Sequence, residues 1–76
     1  MITVKLYGLL RIESGIKEKQ LEAADVKAVL EQLAHCGIDR KDLNGCVILV
    51  NGTGANKRSK LTDGDTVVLM SPVAGG

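Results

Sequence analysis

Apolar residues recur at every second position at the start of this chain, shift to a spacing of three and four in its middle, and merge into near-continuous runs toward its end. The middle segment fixes the reading of the rest. Val26, Val29, Leu30 and Leu33 stand at i, i+3, i+4 and i+7, while Lys27, Glu31 and Gln32 fall on the opposite side, which is the pattern of an amphipathic helix over about 26 to 36. Asp25 is placed to cap its first free N–H groups, and Gly37 to close it in a left-handed conformation.

The flanking segments read as strands. In "ITVKLYG", Ile2, Val4 and Leu6 lie on one face and Thr3, Lys5 and Tyr7 on the other, the period of a half-buried strand that Gly8 ends or bends. A turn signal at Glu13 to Gly15 precedes a second run, with Ile16 and Leu21 inward, so the N-terminus is expected to be a hairpin. After the helix, "GIDRKDLNG" reads as a polar turn anchored by Ile38 and Leu43. "CVILVN" then reads as a strand covered on both faces or lying at the centre of a sheet. Asn51 and Gly52 mark a turn, "GTGANKRSK" a flexible basic loop, "LTDGD" a return with Leu61 buried, and "TVVLMS" the final strand.

The order strand, strand, helix, strand, strand predicts an α+β fold: a mixed sheet with one main helix packed on one face and the first and last strands parallel in the middle. The β-grasp, or ubiquitin-like, arrangement fits that order, with residues 1–71 as the domain and 72–76 as a flexible C-terminal tail leaving the central strand.

Seventy-six residues suffice for one domain. A domain of this size buries only about 60% of the surface its unfolded chain exposes, which leaves little room for an enclosed active site. No catalysis by the chain alone is expected. With a net charge of +1 and Tyr7 as the sole aromatic residue, the chain has neither a steering field nor a stacking platform for nucleic acid. Its apolar runs are too short to span a bilayer, and "MITVKLYGLL" lacks the features of a signal peptide. We therefore expect a cytoplasmic protein with no membrane or nucleic-acid partner, in which Cys36 and Cys46 are free thiols.

Short motifs in the interior carry little chemistry. "GTGANKRS" has Asn56 where a phosphate-binding loop of the G-x-x-x-x-G-K type requires glycine. His35 and Cys36 are sequence neighbours, and residues at i and i+1 do not face each other on a helix. With no second histidine and no C-x-x-C, no metal site is expected, and packing at the helix end or in the core is the expected role of both cysteines.

The tail remains. Pro72 lacks a backbone donor, ends the sheet ladder and biases Ser71 toward an extended conformation, so Pro72, Val73, Ala74, Gly75 and Gly76 are expected to form a thin arm. Gly75 and Gly76, without Cβ atoms, suit a channel too narrow for side chains, and a carboxylate on Gly76 is the least hindered that a chain can offer to an adenylating partner. Ordering four such residues costs on the order of 4 to 8 kcal/mol in backbone entropy, which favours a carrier held by larger enzymes across its folded surface.

The stretches "ITVKLYGLLR", "VILVNG", "LTDGDTVVLMSP" and "VAGG", distributed from Ile2 to Gly76, resemble the MoaD/ThiS sulfur-carrier family, most closely the small subunit of molybdopterin synthase. The resemblance implies a β-grasp fold and a Gly76 that is adenylated and then converted to a thiocarboxylate. ATP is used by an activating enzyme of the ubiquitin-activating type, a sulfur donor protein supplies sulfur, and no cofactor stays bound to the carrier. In the molybdopterin branch the tail, Pro72 to Gly76, enters a channel in the large synthase subunit; in the thiamine branch the sulfur goes to the thiazole ring. Met70, Ser71 and Pro72 stand where molybdopterin-branch members often carry an aromatic residue and a double proline. A ubiquitin-like protein modifier and a plain interaction module remain as alternatives.

Overall fold

Alternation in the first strand sets the sheet. β1 (Ile2–Tyr7) buries Ile2, Val4 and Leu6 and turns Thr3, Lys5 and Tyr7 to the other face. β2 (Glu18–Leu21) lies antiparallel outside it. On the other side β5 (Thr66–Met70) runs parallel to β1, with Val4 opposite Val67 and Leu6 opposite Leu69. β3 (Val47–Val50) then pairs antiparallel with β5 and turns into β4 (Thr53–Gly54). The five strands are ordered β2-β1-β5-β3-β4, which places the last strand at the centre. This computed structural model describes residues 1–71, so the expected tail, residues 72–76, lies outside the described residues.

The main helix, α2 (Val26–His35), covers one face of the sheet. Val26, Val29, Leu30 and Leu33 are buried, and Asp25 accepts a hydrogen bond from the Ala28 N–H at 2.8 Å. Its end is the left-handed glycine closure read from the sequence: Gly37 has φ 100°, its N–H bonds the Ala34 carbonyl at 3.0 Å, and the N–H of buried Ile38 bonds that of Leu33 at 3.2 Å. Fourteen buried aliphatic side chains, from β1, β2, β5, the helices and the loops, form one core between sheet and helices. The arrangement is the expected β-grasp.

Four local expectations need correction. The N-terminal pair is not joined by a simple turn: a short helix, α1 (Leu9–Ser14), intervenes, held down by buried Leu10 and closed by Gly15 at φ 73°. The Glu13–Gly15 turn signal thus marks a helix end. "GIDRKDLNG" contains another helix, α3 (Arg40–Asn44), started by Asp39, whose side chain accepts from the Lys41 N–H at 2.8 Å. Ile38 and Leu43 anchor it as expected.

β3 is covered on one face only and lies next to the central strand: Ile48 and Val50 pack on the core, while Val47 is exposed and Leu49 half-buried. Its continuous apolar run therefore reflects a second apolar surface facing outward. The basic loop is also tied down, because the carbonyls of Ser59 and Lys57 accept the first N–H groups of α2, those of Val26 and Lys27, at 3.0 and 3.1 Å. A helix start needs such acceptors, and here the loop supplies them.

Candidate functional site

The site is the end of β5, from which the chain passes toward Pro72 to Gly76. Those five candidate residues, Pro72, Val73, Ala74, Gly75 and Gly76, lie outside the described residues. The structure does describe their root. Ser71 Oγ accepts a hydrogen bond from the Leu9 N–H at 2.7 Å, so the chain just before the tail caps the start of α1. The approach is close because Gly8 has no side chain: a Cβ there would overlap Ser71 Oγ, and its φ of 67° already favours glycine.

The other end of β5 is fixed by a polar knot. Asn51, the non-glycine residue with positive φ (51°) in the turn after β3, donates from Nδ2 to Asp65 Oδ1 at 2.9 Å and accepts the Thr66 N–H at 2.9 Å. Asp65 Oδ2 accepts the Thr62 N–H at 2.8 Å. The hydrogen bond from the Thr62 backbone, followed by that from the Asn51 side chain, holds the Asp65 carboxyl below its ordinary value. The "DGD" motif thus launches the strand whose far end carries the tail.

Around the root the outer sheet face is apolar. Tyr7 on β1 and Val47 on β3 both pair with Met70 on β5, and Lys5, Val68 and Leu49 form the next row of the same face. Tyr7 is 42% exposed and Val47 44%, and Leu9, whose N–H bonds Ser71, is 50% exposed. Lys5, Arg11, Lys17 and Glu18 line a cleft that also touches Tyr7. An apolar centre with a charged rim is the anatomy of a protein-docking surface. Sequence reasoning missed this face, although the apolar Val68 and Met70 at the outward positions of "TVVLM" signal it.

Of the interior motifs, Cys46 directly precedes Val47 of this site but packs against the core. Cys46 is half-buried, donates its thiol to the Leu43 carbonyl with Sγ at 3.0 Å, and has its pKa pushed up by burial. Cys36 is exposed at the end of α2, which corrects the expectation that it lies in a packed element: the helix closes through Gly37 and Ile38, leaving Cys36 to solvent. In the glycine-bearing loop, Asn56 Oδ1 accepts the Arg58 N–H at 2.8 Å, and Ser59 Oγ accepts the Asn56 N–H at 3.0 Å. Its polar groups thus bond one another. No group of three or more metal-ligating side chains, and no helix long and apolar enough to cross a membrane, occurs among the described residues.

Known proteins share this architecture. Subunit 1 or 2 of the molybdopterin-converting factor of Helicobacter pylori, solved as a complex of the two, is 26% identical over 99% of this chain and 97% of its own, with a TM-score of 0.75. Small archaeal modifier protein 1 of Methanosarcina acetivorans is 26% identical over 99% and 95%, with a TM-score of 0.85. A chain of the Amycolatopsis orientalis BexX/CysO complex is 20% identical over the whole of both chains, with a TM-score of 0.77, a likeness of fold. Comparison with curated proteins gives no match. The fold is that of ThiS/MoaD-type sulfur carriers and ubiquitin-like modifiers. The model of the ThiS family matches residues 4–76, and the chain belongs to that family.

Proposed function

We propose that this protein is a sulfur carrier that loads sulfur on Gly76 as a thiocarboxylate and donates it, as the small subunit of molybdopterin synthase, to the pterin precursor of the molybdenum cofactor. The observation that carries this reading is the position of Ser71: the central strand delivers the tail from a fixed point at the edge of an exposed apolar face. A partner that docks on that face holds the root while the tail, up to about 3.5 Å per residue when extended, reaches its active centre. The Helicobacter pylori complex supports a partner subunit of the synthase type.

In the first step a carboxylate oxygen of Gly76 attacks the α-phosphorus of ATP and pyrophosphate leaves. The terminal sulfur of a persulfide on a donor protein then attacks the acyl carbon and AMP leaves, giving an acyl disulfide. A thiol attacks the donor-side sulfur, forms a disulfide with the donor and releases the thiocarboxylate, with sulfur where oxygen was. The activating enzyme supplies the catalytic groups, and the carrier supplies an unhindered acyl end and a docking surface. Pro72, Val73, Ala74 and Gly75 thread the partner's channel, where the lack of a Cβ at Gly75 gives clearance. The likeness to a small archaeal modifier protein supports a second reading, in which the activated Gly76 is joined to an amine of another protein.

Incubation with ATP, the activating enzyme and a sulfur donor from the same cells, followed by intact mass, tests both. Replacement of one oxygen by sulfur, then conversion of the pterin precursor when the large synthase subunit is added, is the expected result. Conjugate ladders favour the modifier, and sulfur loading without pterin conversion favours another acceptor such as the thiazole of thiamine. Deletion of Gly76, addition of one residue after it, and Gly75→Val should each block loading or donation while leaving the fold intact, since a misplacement of about 1 Å costs roughly a hundredfold in rate. Unimpaired loading and donation by all three variants refutes the proposal.

A further inference from the structure

The helix side of the molecule carries a second surface with its own chemistry. Between α2, α3 and the loop before Leu61 lies a cleft of about 70 Å³, open to solvent, with Leu30 and Leu43 at its base. Lys27, Arg40 and Lys57 stand around it. Glu31 is the carboxylate among its lining residues, and it is engaged by both Nη atoms of Arg40 at 3.3 and 3.2 Å. Lys57 Nζ donates to Asn44 Oδ1 at 2.8 Å, and neither Lys57 nor Lys27 has a carboxylate partner among the described residues. On a chain of net charge +1, the cleft thus gathers three cations against one paired anion.

We propose that this cleft docks an acidic peptide segment of a partner protein, with apolar side chains on Leu30 and Leu43 and carboxylates on Lys27 and Lys57. Three observations select that occupant. The base is apolar while the rim is cationic, so a ligand that combines aliphatic and carboxylate groups matches it and a bare anion matches only half. The N–H groups at the start of α2 are already used, by the carbonyls of Ser59 and Lys57 and by the Asp25 side chain, so no cradle of backbone donors remains for a phosphate. The cleft is also open and small beside sites that enclose metabolites, which suits a segment laid along a surface.

Its location gives the site a use. α2 packs on the core face of the sheet, whereas Tyr7, Val47 and Met70 lie on the opposite face. The carrier can therefore hold one protein on its sheet face, with the tail engaged, and a second on its helix face. Binding in the cleft does not require any modification of Gly76, so it can be tested apart from the proposed function.

The test uses the full chain, labelled with nitrogen-15, and an acetylated and amidated peptide of sequence Glu-Leu-Glu-Leu-Glu. Amide shifts should centre on Lys27, Glu31, Asn44 and Lys57, and affinity should fall about tenfold or more when salt rises from about 0.05 to 0.5 M. The Lys27→Glu, Lys57→Glu double variant should lose binding with the rest of its amide spectrum unchanged, and Lys19→Glu on β2 should bind as the parent does. All these side chains are exposed, so the fold is not at stake. Equal binding of Gln-Leu-Gln-Leu-Gln, stronger shifts of the same amides by inorganic phosphate, shifts spread over every lysine, or no shift at all would each overturn the proposal.

Discussion

Ser71 and Leu9, 62 positions apart, are joined by a single hydrogen bond in which the Leu9 N–H donates to Ser71 Oγ at 2.7 Å. The bond gives α1 the cap that its own sequence lacks, since Gly8 has no side chain to provide one. It also fixes the last described residue before Pro72. Ser71→Ala should cost about 1 kcal/mol, the usual value of an N-cap side chain. Gly8→Ala should cost about 1 to 3 kcal/mol, through its positive φ and the overlap with Ser71 Oγ. Because the overlap involves the hydroxyl oxygen, Gly8→Ala should cost less when Ser71 is already Ala. Denaturant midpoints of the four proteins measure that coupling, and strict additivity would show that the close approach is unimportant.

Asp65 predicts an acid limb in stability. Hydrogen bonds from Thr62 and Asn51 depress its folded pKa below the ordinary 3.8. The stabilisation is present above the unfolded value and is lost as pH falls through the folded one. Asp65→Asn should therefore lower the thermal midpoint at neutral pH, and the gap between variant and parent should close as the pH drops below the usual carboxylate range. A gap that is constant with pH would mean that the aspartate's charge is irrelevant to the knot.

Leu33 lies fully buried at 0% exposure on the inner face of α2. Leu33→Ala should cost about 2 to 5 kcal/mol, a large share of the stability of a domain this small, and urea unfolding followed by far-ultraviolet circular dichroism measures it. A midpoint close to the parent's would show that the cavity collapses without loss.

Val47, by contrast, lies on the outer face and is 44% exposed. Val47→Lys should change folding stability by no more than about 0.5 kcal/mol. It should nonetheless slow sulfur loading about tenfold or more, because a charge would sit at the centre of the docking surface. Tyr7→Ala, on the neighbouring strand and in line through Met70, should act in the same direction. Normal loading by both variants would move the docking surface elsewhere.

Cys36 and Cys46 should prove dispensable for loading. One is exposed at the end of α2 and the other bonds the Leu43 carbonyl, both on segments remote in sequence from Gly76. Cys36→Ser with Cys46→Ala should accept sulfur at the parent's level in the intact-mass experiment. Loss of loading in a folded double variant would assign a thiol to the transfer.

The sequence by itself determined what short-range geometry controls. A spacing of three and four at Val26 to Leu33, a carboxylate at Asp25 and a glycine at position 37 specify a helix and both its ends, because each acts within one turn of the chain. Alternation in β1 likewise assigned Ile2, Val4 and Leu6 to the core, and the order of elements was enough for the β-grasp. Tertiary structure alone decided the rest. α1 and α3 are too short to announce themselves by periodicity, and they exist because Leu10 and Leu43 find places in the core and because Ser71 and Asp39 cap them. The second apolar face of β3 looked from the sequence like cover on both sides or a place at the centre of the sheet, since composition records that a side chain is apolar and not which face of the sheet a helix will cover. The root of the tail required both kinds of information: the sequence marks Gly8 as the end of a strand and Ser71 as the residue before a proline, and only the parallel pairing of the first and last strands brings them within reach of each other.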